Sequence, residues 1–283
     1  MNPQAVLQTA LGERKQMSIY SKLVEKNWVS VFIDDINAKE CQYQQDGTYK
    51  AVKIFGVESP WLFTNIVGSE TAGEGCYRVH KYLFPKLKII PILCHSCFKV
   101  VVKPRTVVQL LELYKLQKKL NLPSKCGIER RSFVTSLYSG YFYNKGIEAG
   151  LECYDLIRKR VSERIDPSVE VILKRGCTEF EMYHGPSDKW AIPITQKKLE
   201  DEFNKRYVED NLPPPTQTED AITNIKLSWI LFAAQKHDMS YKELTDGHSL
   251  VPECNYVTYH QDKKPKLKLI KSPDIGADAK GVV

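Results

Sequence analysis

The chain has 283 residues, of which 42% are hydrophobic and 27% charged. That balance is of a globular protein with a sizeable core, and it excludes a disordered or fibrous class. The net charge of +7 admits a polyanionic partner without demanding one. The start, MNPQAVLQTALGERKQ, lacks the basic-then-apolar pattern of a secretory signal, and the apolar run 227–234 is too short to span a bilayer. We therefore expect a cytoplasmic protein with no membrane partner, whose eight cysteines are reduced thiols or metal ligands.

In chain order, Met17, Tyr20, Leu23 and Val24 recur at helical spacing and predict a helix over 12–26. Residues 28–33 (WVSVFI) read as a strand ended by Asp34 and Asp35. Asp46-Gly47 reads as a hairpin turn, with 48–55 as the second strand, and Ser59-Pro60 breaks the pattern. Residues 68–75 (GSETAGEG) lack the Gly-Lys-Ser/Thr ending of a phosphate-cradling loop and are expected to be a flexible connection.

From Leu87 the character changes. KLKIIPIL leads into Cys94-His95-Ser96-Cys97, a Cys-x-x-Cys turn between two apolar runs, the pattern of a zinc knuckle. The run of Val100, Val101 and Val102 predicts a strand over 98–103. Thr106 and Gln109 form a capping box at the head of a helix that Asn121-Leu122-Pro123 stops. Strands are expected over 126–133 and 136–144. A helix follows, capped by Asn144, with Ile147, Leu151, Tyr154, Ile157, Val161 and Ile165 as its apolar stripe. A last strand over 169–175 delivers Cys177. Beyond it, Leu199, Phe203 and Tyr207 mark a surface helix over 196–210, and Pro213-Pro214-Pro215 a stiff linker. A helix is expected over 219–237, a strand over 255–260, and a disordered tail over 262–283.

The order β-α-β-β-α-β within 87–193 predicts an α+β protein with a ferredoxin-like (βαββαβ) central domain. An N-terminal portion with a helix and strands (1–86) precedes it; a helical C-terminal portion (194–261) and the tail follow. Threading the four strands alternately up and down brings Cys94, Cys97, Cys126 and Cys177 to one end of the sheet. Four thiolates at one locus suit a structural Zn²⁺ and equally a [4Fe–4S] cluster. Cys76 is the reserve ligand, and His95 a bystander inside the knuckle.

Two surfaces are candidates for function. The aromatic strand carries Gly140, Tyr141, Phe142 and Tyr143, and this pattern partly resembles the third strand of RNA-recognition domains, on which bases stack; Ser139 stands where those domains carry a basic residue. Basic side chains crowd the same unit, among them Lys99, Lys125, Arg130, Arg131, Lys174 and Arg175. Tyr141 and Tyr143 with Arg130, Arg131, Lys174 and Arg175 are the expected nucleic-acid contacts, and the partner is a single strand, RNA included. The second surface is Glu179, Glu181, His184 and Asp188. Two alternating carboxylates on one side of an extended strand, with an imidazole nearby, suit a catalytic divalent metal, to which Asp34 and Asp35 add ligands.

The leading expectation is a metal-stapled nucleic-acid-binding component of a larger nucleoprotein complex, with other protein subunits as partners. The alternatives are a metal-dependent nuclease or transferase, an iron–sulfur redox enzyme, and a structural assembly subunit.

Overall fold

The computed structural model describes residues 32, 36–37, 41–51, 59–66, 79–208 and 217–251. These elements belong to one compact unit that ends at Leu250. The protein is of the mixed α+β class. The expected helix over 12–26, the 68–75 loop, Asp34, Asp35, Cys76, the proline run, the strand over 255–260 and the 262–283 tail lie outside the described residues. Of the expected strand over 28–33 only Phe32 is described, and it is helical.

The Asp46-Gly47 turn joins strand β1 (Cys41–Tyr43) to β2 (Tyr49–Ala51), which pair antiparallel. Gly47 takes φ +85°, a left-handed conformation that costs glycine little, and the Asp46 carboxylate accepts from Thr48 N at 2.9 Å. The strand β8 (Tyr207–Val208) adds to β2 in parallel.

The larger sheet holds β3 (Trp61–Thr64), β4 (Cys97–Lys103), β5 (Ser124–Ile128), β6 (Tyr138–Lys145) and β7 (Glu170–Arg175). Their order across the sheet is β7-β4-β6-β5-β3, and every neighbouring pair is antiparallel. Helix α3 (Val107–Leu120) links β4 to β5, and α4 (Ile147–Arg164) links β6 to β7. Before β4 stand two single turns, α1 (Phe84–Leu87) and α2 (Ile92–His95).

Strand β3 escapes sequence reading because its four residues follow a turn-forming Ser-Pro pair. It is held at the sheet edge by its register with β5 (Leu62 opposite Cys126) and from outside by Trp229, whose Nε1 donates to Pro60 O at 2.8 Å. Gly127 permits this approach. A Cβ there would stand 2.1 Å from Pro60 O.

Alternation along the strands sorts side chains onto two faces. Val100, Val102, Gly140, Phe142, Cys126 and Leu62 share one face, in register across four strands. Helices α3 and α4 cover it: Leu113 of α3 packs over Gly140, and Phe98 and Leu173 pack under Gly150 of α4. Leu110, Leu113, Ile157 and Val161 are fully buried there. On α4 the buried stripe is Gly150, Cys153, Ile157 and Val161, so the expected stripe is rotated: Ile147 and Leu151 face outward. The cap of α4 is Gly146 at φ +88°, not Asn144, because β6 runs on through Lys145.

Beyond β7 the chain turns into α5 (Thr178–His184), a one-turn 3₁₀ helix (Ser187–Lys189) and α6 (Gln196–Arg206). Leu199 and Phe203 of α6 and Tyr207 join Phe32, Tyr49 and Tyr82 in a second buried cluster, with Phe32 stacked on Tyr49 at 4.3 Å. Helix α7 (Glu219–Gln235) buries Ile222, Ile225 and Trp229. The segment after it ties back to the sheet through Asp238, which accepts from Tyr138 Oη at 2.7 Å and from Val107 N at 2.6 Å.

Candidate functional site

The sheet face turned away from α3 and α4 carries Trp61, Phe63, Lys125, Tyr141, Tyr143 and Lys99, placed there by the same alternation. Cations and rings interleave on neighbouring strands. Lys125 Nζ lies 4.5 Å over the Trp61 ring and 5.6 Å over Tyr141; Lys99 Nζ lies 5.5 Å over Tyr143. Each such contact is worth about 0.5–2 kcal/mol, more as water is excluded. Trp61, Lys99, Lys125, Tyr141 and Tyr143 line a pocket of about 270 Å³, together with Arg130, Arg131, Glu129, Glu179, His80 and Cys177. Four cations (Lys99, Lys125, Arg130, Arg131) stand against two carboxylates (Glu129, Glu179) and the Cys177 thiolate, so the balance stays positive and the pocket is attractive to an anion.

One wall is a closed network around Arg131. Its guanidinium contacts Glu129 (Nη2–Oε2 2.6 Å, Nε–Oε1 2.8 Å), Glu179 (Nη1–Oε1 3.1 Å) and the Tyr141 hydroxyl (2.7 Å), and that hydroxyl donates to Glu129 Oε2 at 3.0 Å. Burial pushes the Glu129 carboxyl up, and the hydrogen bonds and charge of Arg131 outweigh it, so the group is held below its ordinary range. Glu179 behaves alike, with a backbone hydrogen bond assisting Arg131. Burial, little relieved by Arg131, pushes the Tyr141 phenol up to about 12. Tyr141 is therefore a buried, hydrogen-bonded wall rather than an exposed stacking platform, at 9% exposure. Tyr143 and Trp61 are half-buried and present more surface. Arg130 is exposed and has no partner among the described residues.

At the other end of the pocket is Cys177. Gly176, at φ +59°, turns the chain out of β7, and its N–H donates to Cys97 O at 2.8 Å, so the thiol of the next residue is aimed beneath β4. A Cβ on Gly176 would stand 2.8 Å from the Trp190 ring. Lys99 Nζ donates to Cys177 Sγ at 2.8 Å, and His80 Nε2 lies 3.4 Å from the same sulfur. Burial alone raises a thiol's pKa. Here the Lys99 charge and the His80 hydrogen bond more than offset it and bring Cys177 down to about 6.

The chain matches no known protein family, no curated protein and no solved structure.

Of the expected nucleic-acid contacts, Tyr141, Tyr143, Arg130 and Arg131 are brought together at the pocket. Lys174 pairs in register with Lys99, but its ammonium is engaged by Thr178 Oγ1 at 2.8 Å and Glu181 at 3.5 Å. Arg175 donates to His95 O and Ser187 O and lies over Trp190, so it braces the 3₁₀ turn.

Of the four expected thiols, Cys94, Cys97 and Cys177 come to one end of the sheet. Cys97 opens β4 beside Gly176, and Cys94 and Cys177 belong to one buried cluster. The Cys-x-x-Cys segment is not a bare turn: α2 contains Cys94, and β4 begins at Cys97. Cys126 lies elsewhere. It sits at the centre of β5 opposite Gly140, whereas Cys97 is opposite Lys145; five residues along β6 are roughly 17 Å. It also points to the α3 face, fully buried, and burial drives its thiol pKa far up. Among the described residues no group of three or more His, Cys, Asp or Glu side chains is placed to hold a metal ion.

The carboxylate cluster also differs from expectation. Residues 178–184 are helical, not extended, so Glu179 and Glu181 point apart: Glu179 joins Arg131, and Glu181 turns to Lys174. His184 ends α5 with its Nε2 unpartnered, and burial lowers its pKa. Asp188 is exposed in the 3₁₀ turn. Trp61 and His80 were not singled out by sequence. Trp61 belongs to the short edge strand, and His80 meets Cys177 across 97 residues of chain. No helix among the described residues is long and apolar enough to cross a membrane.

Proposed function

We propose that the protein binds single-stranded nucleic acid in this pocket, on a ferredoxin-like (βαββαβ) unit extended by the edge strand β3. The observation that carries the reading is the interleaving of Lys125 with Trp61 and Tyr141, and of Lys99 with Tyr143, on adjacent strands. Phosphate requires cations and a nucleobase requires a flat apolar ring; the pocket supplies both within one strand spacing, about 4.8 Å. The exposed Arg130 at the rim suits an incoming phosphate, whereas Arg131 is spent on its carboxylates and serves as a brace. The helix-covered face supplies stability, and the opposite face supplies recognition.

The test is fluorescence anisotropy of labelled single-stranded RNA and DNA oligonucleotides, titrated with the full chain at several salt concentrations. Binding is expected to weaken linearly in log–log form as salt rises. Tyr143→Ala is expected to weaken it about fivefold or more, a loss of about 1–3 kcal/mol for a stacked base, and Lys125→Ala to weaken it and lower the salt slope by about one. Equal binding by the parent and both variants would remove the pocket from the interaction.

A further inference from the structure

The environment of Cys177 reaches beyond nucleic-acid binding. The residue is buried, yet it lines the pocket wall. Two nitrogen groups from different parts of the chain converge on its sulfur, Lys99 Nζ at 2.8 Å and His80 Nε2 at 3.4 Å. Cys126, by contrast, is a fully buried thiol whose pKa burial drives far up. A sulfur paired with an ammonium inside a cavity is the environment of an activated nucleophile, not of an inert core cysteine.

We infer that Cys177 is a catalytic nucleophile that takes the acyl group of an anionic acyl donor seated in the pocket. The thiolate attacks the carbonyl carbon, and the developing oxyanion forms within reach of the Lys99 ammonium that already touches the sulfur. The tetrahedral intermediate collapses with loss of the ester C–O bond, and the electron pair leaves on the alkoxide. Lys99 gives that oxygen a proton, since the acylated sulfur no longer needs a counter-ion. The products are an acyl-Cys177 thioester and an alcohol. In the second half, water attacks the thioester as the neutral Lys99 amine takes its proton. The thiolate is expelled beside the restored ammonium, and the carboxylic acid loses its proton to solvent. The negative charge of the donor is recognised by Lys125, separated from Lys99 by strand β6, and by Arg130 in the same lining. This inference does not rest on nucleic-acid binding, and the two have separate readouts.

The experiment uses the full chain with mono-p-nitrophenyl succinate, an anionic ester, beside neutral p-nitrophenyl acetate. A burst of p-nitrophenolate is expected. The anionic ester should be favoured about tenfold over its ratio with free N-acetylcysteine, the gain a cationic cleft provides. Intact-mass and peptide analysis should place one hydroxylamine-labile succinyl group on Cys177. Cys177→Ser and Cys177→Ala should abolish the burst, with circular dichroism checking that they fold. Lys99→Met should move the pH midpoint of acylation up from about 6, where the Lys99–Cys177 pair sets it, toward that of a free thiol. Three results would each overturn the proposal: an adduct on another residue, no preference for the anionic ester, or a Cys177 that iodoacetamide labels at neutral pH only after chelator treatment. The last would make the sulfur a metal ligand.

Discussion

Arg131 and Glu179, 48 residues apart, meet at 3.1 Å between Nη1 and Oε1. The contact joins the loop after β5 to the first turn of α5, and through Arg131 it reaches Glu129 and Tyr141. The pocket therefore has one wall built from three separate segments, and its shape depends on a single guanidinium.

Removing that guanidinium should be costly. Glu129 has a side chain only 1% exposed, and Arg131 supplies two of its short hydrogen bonds. Arg131→Met leaves a buried carboxylate with only the Tyr141 hydroxyl and the backbone N–H of residue 131 as donors, so we expect a loss of about 3 kcal/mol. Urea unfolding of parent and variant measures it. Arg131→Lys keeps the charge but not the fork, and should recover less than half of the loss.

The same wall predicts a pH dependence. Glu129 and Glu179 titrate below their ordinary value of 4.5 in the folded protein. Their stabilising contribution is complete above that value and disappears as pH falls through the lower folded values. The urea midpoint of the parent should hold from pH 7 to about 5 and then drop. In Arg131→Met burial dominates, the Glu129 pKa rises above its unfolded value, and the sign reverses. The variant's midpoint should climb as pH falls from 7 toward 4.5. A parallel fall in both proteins would show that other groups govern acid unfolding.

Cys126 offers a test of packing against ligation. It is fully buried against α3, beside Gly140 and under Leu113. Cys126→Ala should cost about 1 kcal/mol through lost contacts, and Cys126→Ser about 2 kcal/mol through a buried hydroxyl without a built partner. Metal content by mass spectrometry of the purified proteins should be the same in parent and Cys126→Ala. A drop in the variant alone would assign the thiol to a metal.

Gly127 governs whether the edge strand can close the pocket. A methyl group there would stand 2.1 Å from Pro60 O, a distance no real contact tolerates, so β3 must shift outward. Gly127→Ala is expected to lose about 1–3 kcal/mol of stability. Pro60 and Trp61 both line the pocket, so oligonucleotide affinity should fall as well. Thermal unfolding and anisotropy report the two effects separately.

Local features were legible in the chain. Thr106 accepts from Gln109 N at 3.2 Å and heads α3, as its capping pattern implies, although the Gln109 side chain satisfies Arg105 N rather than the cap residue's own N–H. Leu199 and Phe203 sit on the buried side of α6 as their helical spacing implies, whereas Tyr207, at the next step, already belongs to β8. Asp46-Gly47 makes its hairpin. Each of these depends on interactions within a few residues, and such interactions are written in adjacent side chains. The faces and partners were not legible. Whether Glu179 lies on a strand or a helix depends on where β7 ends, and that is decided by the left-handed turn at Gly176 against Trp190. Cys126 was placed by register, since one step along β5 would have moved it to the opposite face. Lys99 and His80 reach Cys177 across 78 and 97 residues, a meeting that only the assembled sheet and the turns packed beside it bring about. Periodicity specifies which residues are apolar on a given element. It carries no information about which distant charge will stand opposite a thiol, because that is set by the packing of whole elements against one another.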